Sequence, residues 1–305
     1  MRKRSFVSFA KKSLRYLWRF IKGIYHKAEE HHLFLMSGGL SFSLLFCIIP
    51  LGLVIFAALG LVLEKTAIIN EVGAMIDRGI PYPEFATFVK SVVLARAEEF
   101  KIYKNVAGVL GLVGLLLAAT GLFSSMRTIL NSVFRVKDGS RIHIDKLHDL
   151  GIMLLVLTYF LLSVAVVPLS DLLFSLADNV TFLGSFDLAL LQRYLVQVVS
   201  IALILGSYLT IYSVIPRRRL GFRVVLIASL AATILWFTAK ELFGLYIENR
   251  MNLQQIYGTY VMVVMIGLWI YYSSLVFILG AIIGQVYREL DKGTTHGEDV
   301  KFVKS

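Results

Sequence analysis

The chain has 305 residues, 57% hydrophobic and 17% charged, with a mean hydropathy of +0.75 and a formal net charge of +11. That balance excludes a water-soluble domain built around one large core. The positive charge suits either nucleic acid or membrane orientation, and its placement along the chain decides between them.

Residues 1–30 lack the uninterrupted apolar region of a signal peptide and predict a basic amphipathic helix. Ala10, Leu14, Leu17, Ile21 and Ile24 recur at helical spacing, and Lys11, Arg15, Arg19, Lys22 and His26 take the other face. Such a helix lies in the inner headgroup layer, where each basic residue gains on the order of 1 kcal/mol from anionic lipid, or it packs on the cytoplasmic face of a bundle. His31 and His32 read as interfacial residues before the first apolar stretch.

Six uncharged stretches follow: Leu33 to Leu63, Val106 to Phe123, Leu150 to Ser170, Tyr194 to Ile215, Val224 to Ala239 and Tyr257 to Gly284. A helix crossing the hydrocarbon needs about 20 apolar residues and bonds its own backbone, so six membrane-crossing helices are expected. The first carries Pro50, which leaves the carbonyl of Phe46 without its helical donor and predicts a kink. Upstream, Ser37, Gly38, Gly39, Ser41 and Ser43 offer small, weakly polar surface for close packing or for a wet path. Cys47 is the single cysteine, so no disulfide forms within the chain, and its place in the span suits packing.

The loop 64–105 is too long to be structureless. Ile68, Ile69, Val72 and Ile76 form one helical stripe, Pro81 and Pro83 break it, and Phe85, Phe88, Val89, Val92 and Val93 form another, as a lid or a cap on the outer side. In the second span Gly108, Gly111, Gly114 and Ala118 make a small-residue face, and Gly280 and Gly284 repeat it as a GxxxG pair in the last.

His143, Asp145, His148 and Asp149 have the residue types of metal ligands, but they share one short connection that offers no folded site for three fixed ligands, and a capped helix start is the plainer reading. Asp171 and Arg193, at the ends of spans three and four, and Lys240 and Glu241 beyond span five fall near the outer headgroups. They either snorkel singly or converge as an outer polar cluster. Ser207 and Tyr208 in span four and Trp269 and Tyr271 in span six, with Ser41, Ser43 and Pro50, are the candidates for a kinked cavity.

Orientation comes from the loops. The N-terminal stretch, the second-to-third connection, the turn holding Arg217, Arg218, Arg219 and Arg223, and the tail together carry 22 of the 31 basic residues, which places both termini in the cytoplasm. Lys11, Arg15, Arg19, Lys22, Arg217, Arg218 and Arg219 are then positioned for anionic lipid rather than nucleic acid. No P-loop, GxSxG or dinucleotide fingerprint occurs, and no cofactor is expected.

The ordered features resemble the YihY/BrkB family of bacterial inner-membrane proteins, once labelled ribonuclease BN, over roughly residues 25 to 290. The resemblance rests on Phe46, Cys47, Ile48, Ile49, Pro50 and Leu51; on the stretch from Gly121 to Asn131; on the turn Pro216 to Phe222; and above all on the C-terminal third. There Trp236, the run Lys240 to Tyr246, Tyr257, Gly258 and Thr259, Leu268 to Tyr272, and Leu279, Gly280 and Ala281 follow the family pattern. The chain departs from it at Ile282, where the family has an acid, and at Phe42, where it has a tyrosine, so no role of that acid carries over.

The resemblance implies an inner-membrane location and suggests transport, lipid handling and a virulence role in serum resistance. Nothing in the chain builds a nuclease centre. The expectation is an all-α polytopic membrane protein: a basic amphipathic helix over 1–30, a six-helix transmembrane domain over 31–290 with a helical outer loop, and a polar cytoplasmic tail over 291–305. Its expected role is a transporter or lipid-translocating protein without nucleotide hydrolysis, with an envelope scaffold and, more remotely, a membrane hydrolase as rivals. Membrane lipids are the expected partners, and the small-residue faces permit a homo-oligomer.

Overall fold

The computed structural model describes residues 18–62, 76, 86–87, 89–91, 97–136, 151, 188–218, 220–257 and 259–296. They form α1 (residues 18–30), α2 (Leu33–Val62), α3 (Ala97–Val133), α4 (Leu188–Val214), α5 (Phe222–Tyr257) and α6 (Thr259–His296), and among the described residues there is no strand. Five of these helices hold stretches long and apolar enough to cross a bilayer: Leu33–Ala58, Ile102–Val133, Gln197–Val214, Phe222–Tyr246 and Val263–Asp291. Apart from Gly151 the expected third span lies outside the described residues, as do most of the outer loop and the connection holding His143, Asp145, His148 and Asp149.

The helices outrun the apolar stretches that announce them. α3 begins at Ala97, inside the expected outer loop, and continues to Val133, so Arg127 is not a loop residue but a buried side chain within the helix. α6 likewise carries Arg288 and Glu289 and runs on to His296. Hydropathy marks the part of a helix that sits in hydrocarbon, whereas hydrogen bonding continues wherever packing or water satisfies the backbone.

The chain divides into two compact units, Met1–Ser41 with Phe123–Ser305, and Phe42–Leu122. In the second unit Gly108, Gly111 and Gly114 repeat every three residues along α3 and meet Ala57, Val54 and Pro50 of α2 in reverse order, as antiparallel neighbours do. A Cβ on Gly111 would lie 2.8 Å from the Val54 amide nitrogen, so only glycine allows this approach. Pro50 packs on Gly114, and α2 is helical on both sides of it.

The first unit is built on α5 against α6. Cβ atoms added at Gly280 and Gly284 would lie 2.6 Å from the Ala232 Cβ and 2.7 Å from the Ala228 Cβ. Tyr212 of α4 closes the same seam: its hydroxyl donates to the Phe277 carbonyl at 2.6 Å, and its ring stacks on Phe277 at 5.4 Å. Ile282, where the family pattern has an acid, is fully buried here, so an apolar contact fills that place.

Candidate functional site

The least expected feature of the first unit is a knot of charged and polar side chains where α1 meets α2, where α3 ends and where α6 leaves its apolar stretch. Lys27 is 3% exposed, yet it carries a charge that burial disfavours. Two carboxylates compensate it: Lys27 Nζ lies 3.2 Å from Glu30 Oε2 and 3.2 Å from Glu289 Oε1. Glu30 also accepts from Arg135 Nη2 at 2.7 Å, and Glu289 from Gln285 Nε2 at 2.7 Å. Two cations and two anions therefore balance across α1, α6 and the end of α3.

Local backbone geometry delivers these groups. Lys27, Glu30 and His31 stand three and four residues apart, one face of a helical turn. α1 then stops at His32, whose φ of 45° is left-handed, and the His32 carbonyl accepts the first α2 bond from Met36 at 3.0 Å. α3 ends in a Schellman turn: Val136 N donates to Asn131 O at 2.8 Å and Arg135 N to Ser132 O at 3.1 Å. The left-handed position of that turn usually belongs to glycine, but here it is Arg135, with φ 50°. The strained residue is the one that reaches Glu30, an arrangement typical of functional sites. Arg288 Nη2 supports the same end by donating to the Phe134 carbonyl at 3.0 Å, and Asn131 Oδ1 accepts from the Arg217 amide at 3.2 Å.

Two buried atoms in this junction have no hydrogen-bond partner, Nε2 of His31 and Oε1 of Gln285. The other His31 nitrogen, Nδ1, lies 3.4 Å from the Ser132 hydroxyl. Burial pushes the His31 pKa below its ordinary value, against the pull of the Glu30 carboxylate, so the imidazole is neutral at pH 7. Burial pushes Glu30 up, but hydrogen bonds and charge from Arg135 and Lys27 outweigh it and hold the carboxyl at about 2. Arg135 is raised in turn, first by its hydrogen bond to Glu30. The junction is thus a paired, polar plug at the end of otherwise apolar helices.

Apart from His31 and the Arg217 amide, the residues singled out from sequence fall elsewhere. Lys240 and Glu241 are exposed neighbours 4.0 Å apart; Asp171 lies outside the described residues, and of Arg193 only the helical backbone is described. Ser41 donates to the Ser37 carbonyl and Ser207 to Leu203 at 2.9 Å, so both hydroxyls serve their own helices. Ser43 is half-buried, Tyr208 stacks on Tyr212 at 5.9 Å, Trp269 packs with Phe243 at 4.9 Å, and Tyr271 meets Tyr272 at 6.3 Å. Arg19, Lys22, Arg217 and Arg218 are exposed, and Lys11, Arg15 and Arg219 lie outside the described residues.

Sequence reasoning used Lys27 and Arg135 only as markers of orientation and left Glu30, Gln285 and Glu289 without a role. A signal was present: Gln285 and Glu289 are four apart where the last helix leaves its apolar stretch, and Lys27 precedes Glu30 by three. Their meeting could not be read, because Lys27 and Glu289 are separated by most of the chain.

Comparison with known proteins agrees with the architecture. The family profile described as "Virulence factor BrkB" matches residues 24–301. The chain is similar to the UPF0761 membrane protein of Psychromonas ingrahamii, at 25% identity over 265 residues, covering 87% of this chain and 86% of that one. It is similar to the UPF0761 membrane protein YihY of Shigella sonnei, at 27% over 222 residues, covering 70% and 73%. The corresponding protein of Actinobacillus pleuropneumoniae is 26% identical over 278 residues, covering 90% and 96%. No solved structure matches.

Proposed function

Because the chain belongs to the BrkB virulence-factor family and is a multi-pass protein of the bacterial inner membrane, we propose that it is a non-enzymatic transport protein, carrying a lipid or solute without nucleotide hydrolysis, with the Lys27 junction as its cytoplasmic gate. The observation that carries this reading is a lysine 3% exposed, bridging carboxylates of two elements at the end of a membrane bundle. Ion pairs to a buried lysine add little net stability, since desolvation offsets their attraction, so their use is better explained by switching than by adhesion. Separated, the same four charges would each be hydrated, and that hydration offsets the lost pairing, as a switch requires.

Connectivity supports six crossings with both termini on the cytoplasmic side. Lys27, just before the first span, and Glu289, at the end of the last, meet at 3.2 Å, so the number of crossings between them is even; five candidate spans are described, and Leu150 to Ser170 is the expected sixth. The basic loops assign the Lys27 side to the cytoplasm.

The test is reconstitution of the purified protein in liposomes, following fluorescent phospholipid across the bilayer and, separately, ion flux. Wild type should move one cargo class faster than protein-free vesicles, and Glu289→Gln should alter that rate. Rates equal to empty vesicles for both classes would overturn the proposal and leave envelope scaffolding.

A further inference from the structure

Beside the junction, α1, the start of α2 and one residue of α6 enclose a groove of about 690 Å3. Its walls are apolar, with Ile21 and Ile24 from α1, Leu33 and Phe34 from α2, and Leu279 from α6, and the only ionisable side chains among its lining residues besides Tyr25 are Glu29 and His32. The volume lies within the ~300–1,000 Å3 of small-molecule sites. Its two ends differ. Glu29 and His32 stand at the α1–α2 corner, before the span that begins at Leu33, whereas Leu279 lies nine residues before Arg288, about 13 Å deeper along α6 at about 1.5 Å per residue. The groove therefore runs from headgroup level into hydrocarbon depth.

Charge at the rim narrows the occupant. Lys22 stands on one stripe of α1 with Tyr25 and Glu29, at i, i+3 and i+7. Lys22 and Glu29 are both exposed, and among the described residues neither makes an ion pair. Glu29 lines the groove, and Lys22, two turns earlier on the same stripe of α1, stands next to the lining residues Ile21 and Tyr25; this pair complements a ligand with an acyl chain, a phosphate and an ammonium. We infer that this groove docks a phospholipid with a primary-amine headgroup: an acyl chain lies against Leu33, Phe34 and Leu279, Lys22 pairs with the phosphate, and the Glu29 carboxylate accepts N–H bonds from the ammonium. A fatty acid leaves Glu29 unmatched, and a choline headgroup has no N–H to offer it. The inference rests on the transport reading only for the claim that this lipid is carried; binding stands on the groove alone.

The experiment uses full-length protein in detergent and phosphatidylethanolamine with a photoactivatable group in one acyl chain, with the phosphatidylcholine and phosphatidylglycerol analogues as competitors. Labelling is expected on peptides spanning residues 21–35 and around Leu279, with about a threefold preference for the ethanolamine lipid over the choline lipid, the scale of one exposed charge pair. Glu29→Gln should bring that ratio to about one while labelling persists, and Leu279→Trp should abolish labelling of the groove. Should Leu279→Trp not fold, Ile21→Asp, at a position 55% exposed, places a charge in the same wall and should have the same effect. Labelling only outside the groove, or an ethanolamine-to-choline ratio of one in the wild type, would overturn the inference. Transport without groove labelling sinks the inference alone, and groove labelling without transport sinks the transport reading alone.

Discussion

The seam between α5 and α6 and the junction around Lys27 belong to the same unit and share α6, yet they are held by opposite means. At the seam, Gly280 and Gly284 bring backbones close enough that an added Cβ would overlap Ala232 and Ala228, and the contact depends on shape. Within a turn and a half after Gly284 the same helix presents Gln285, Arg288 and Glu289, and contact there depends on charge. Shape tolerates no insertion and has no second arrangement of similar energy. Water can replace each partner in a set of balanced charges, so the seam suits a fixed axis and the junction suits the gate proposed for it.

The comparison breaks most decisively at the seam. Gly280→Leu should destabilise the protein by about 3 kcal/mol, read as thermal unfolding in detergent, because the new side chain meets Ala232 and the Ala228 carbonyl and not a flexible chain end alone. A Gly280→Leu protein as stable as wild type would mean that α5 and α6 are not packed this closely.

At the junction, Lys27→Met should cost about 2 kcal/mol, below the ~3–5 kcal/mol of a fully buried pair, because the carboxylates it abandons are 34% and 26% exposed. Adding Glu289→Gln should recover part of that loss, since Gln285 keeps an acceptor while a stranded charge is removed. No equivalent rescue exists at the seam, where loss is steric. A double variant as unstable as the sum of two independent losses would show that charge does not govern the junction.

The smallest expected effect is a pH slope. His31 is held neutral by burial below its ordinary 6.5, so as pH falls through 6.5 the unfolded chain takes the proton first and stability declines. Glu30 has its carboxyl lowered from 4.5 to about 2, so its contribution is complete above pH 4.5 and disappears as pH falls from there toward 2. Unfolding followed from pH 7.5 to 2.5 should show a shallow decline beginning near 6.5, and His31→Gln should flatten it while leaving the steeper acid limb below 4.5. An unchanged decline in His31→Gln would remove His31 as its source.

The helices were legible because their signal is local. A run such as Leu33 to Leu63 needs only hydropathy to be recognised, and the positions of Gly111, Gly114, Gly280 and Gly284 need only spacing. Ends were misread where the helix leaves hydrocarbon: α3 and α6 keep helical bonding through Arg127 and Arg288, which hydropathy assigns to loops. The turn at Arg135 was illegible for another reason, since its left-handed backbone breaks the glycine rule on which sequence reading depends.

By itself the sequence determined that this chain is a helical membrane protein, because twenty apolar residues in a row have one stable environment whatever surrounds them. Which face of α6 meets Ala228 and Ala232, and that Lys27 is enclosed by Glu30 and Glu289 rather than solvated with the other basic residues of the N-terminal stretch, only the tertiary structure decided. A lone lysine reads the same in a loop and in a buried ion pair, and what separates them is the desolvation and pairing imposed by residues far away in the chain.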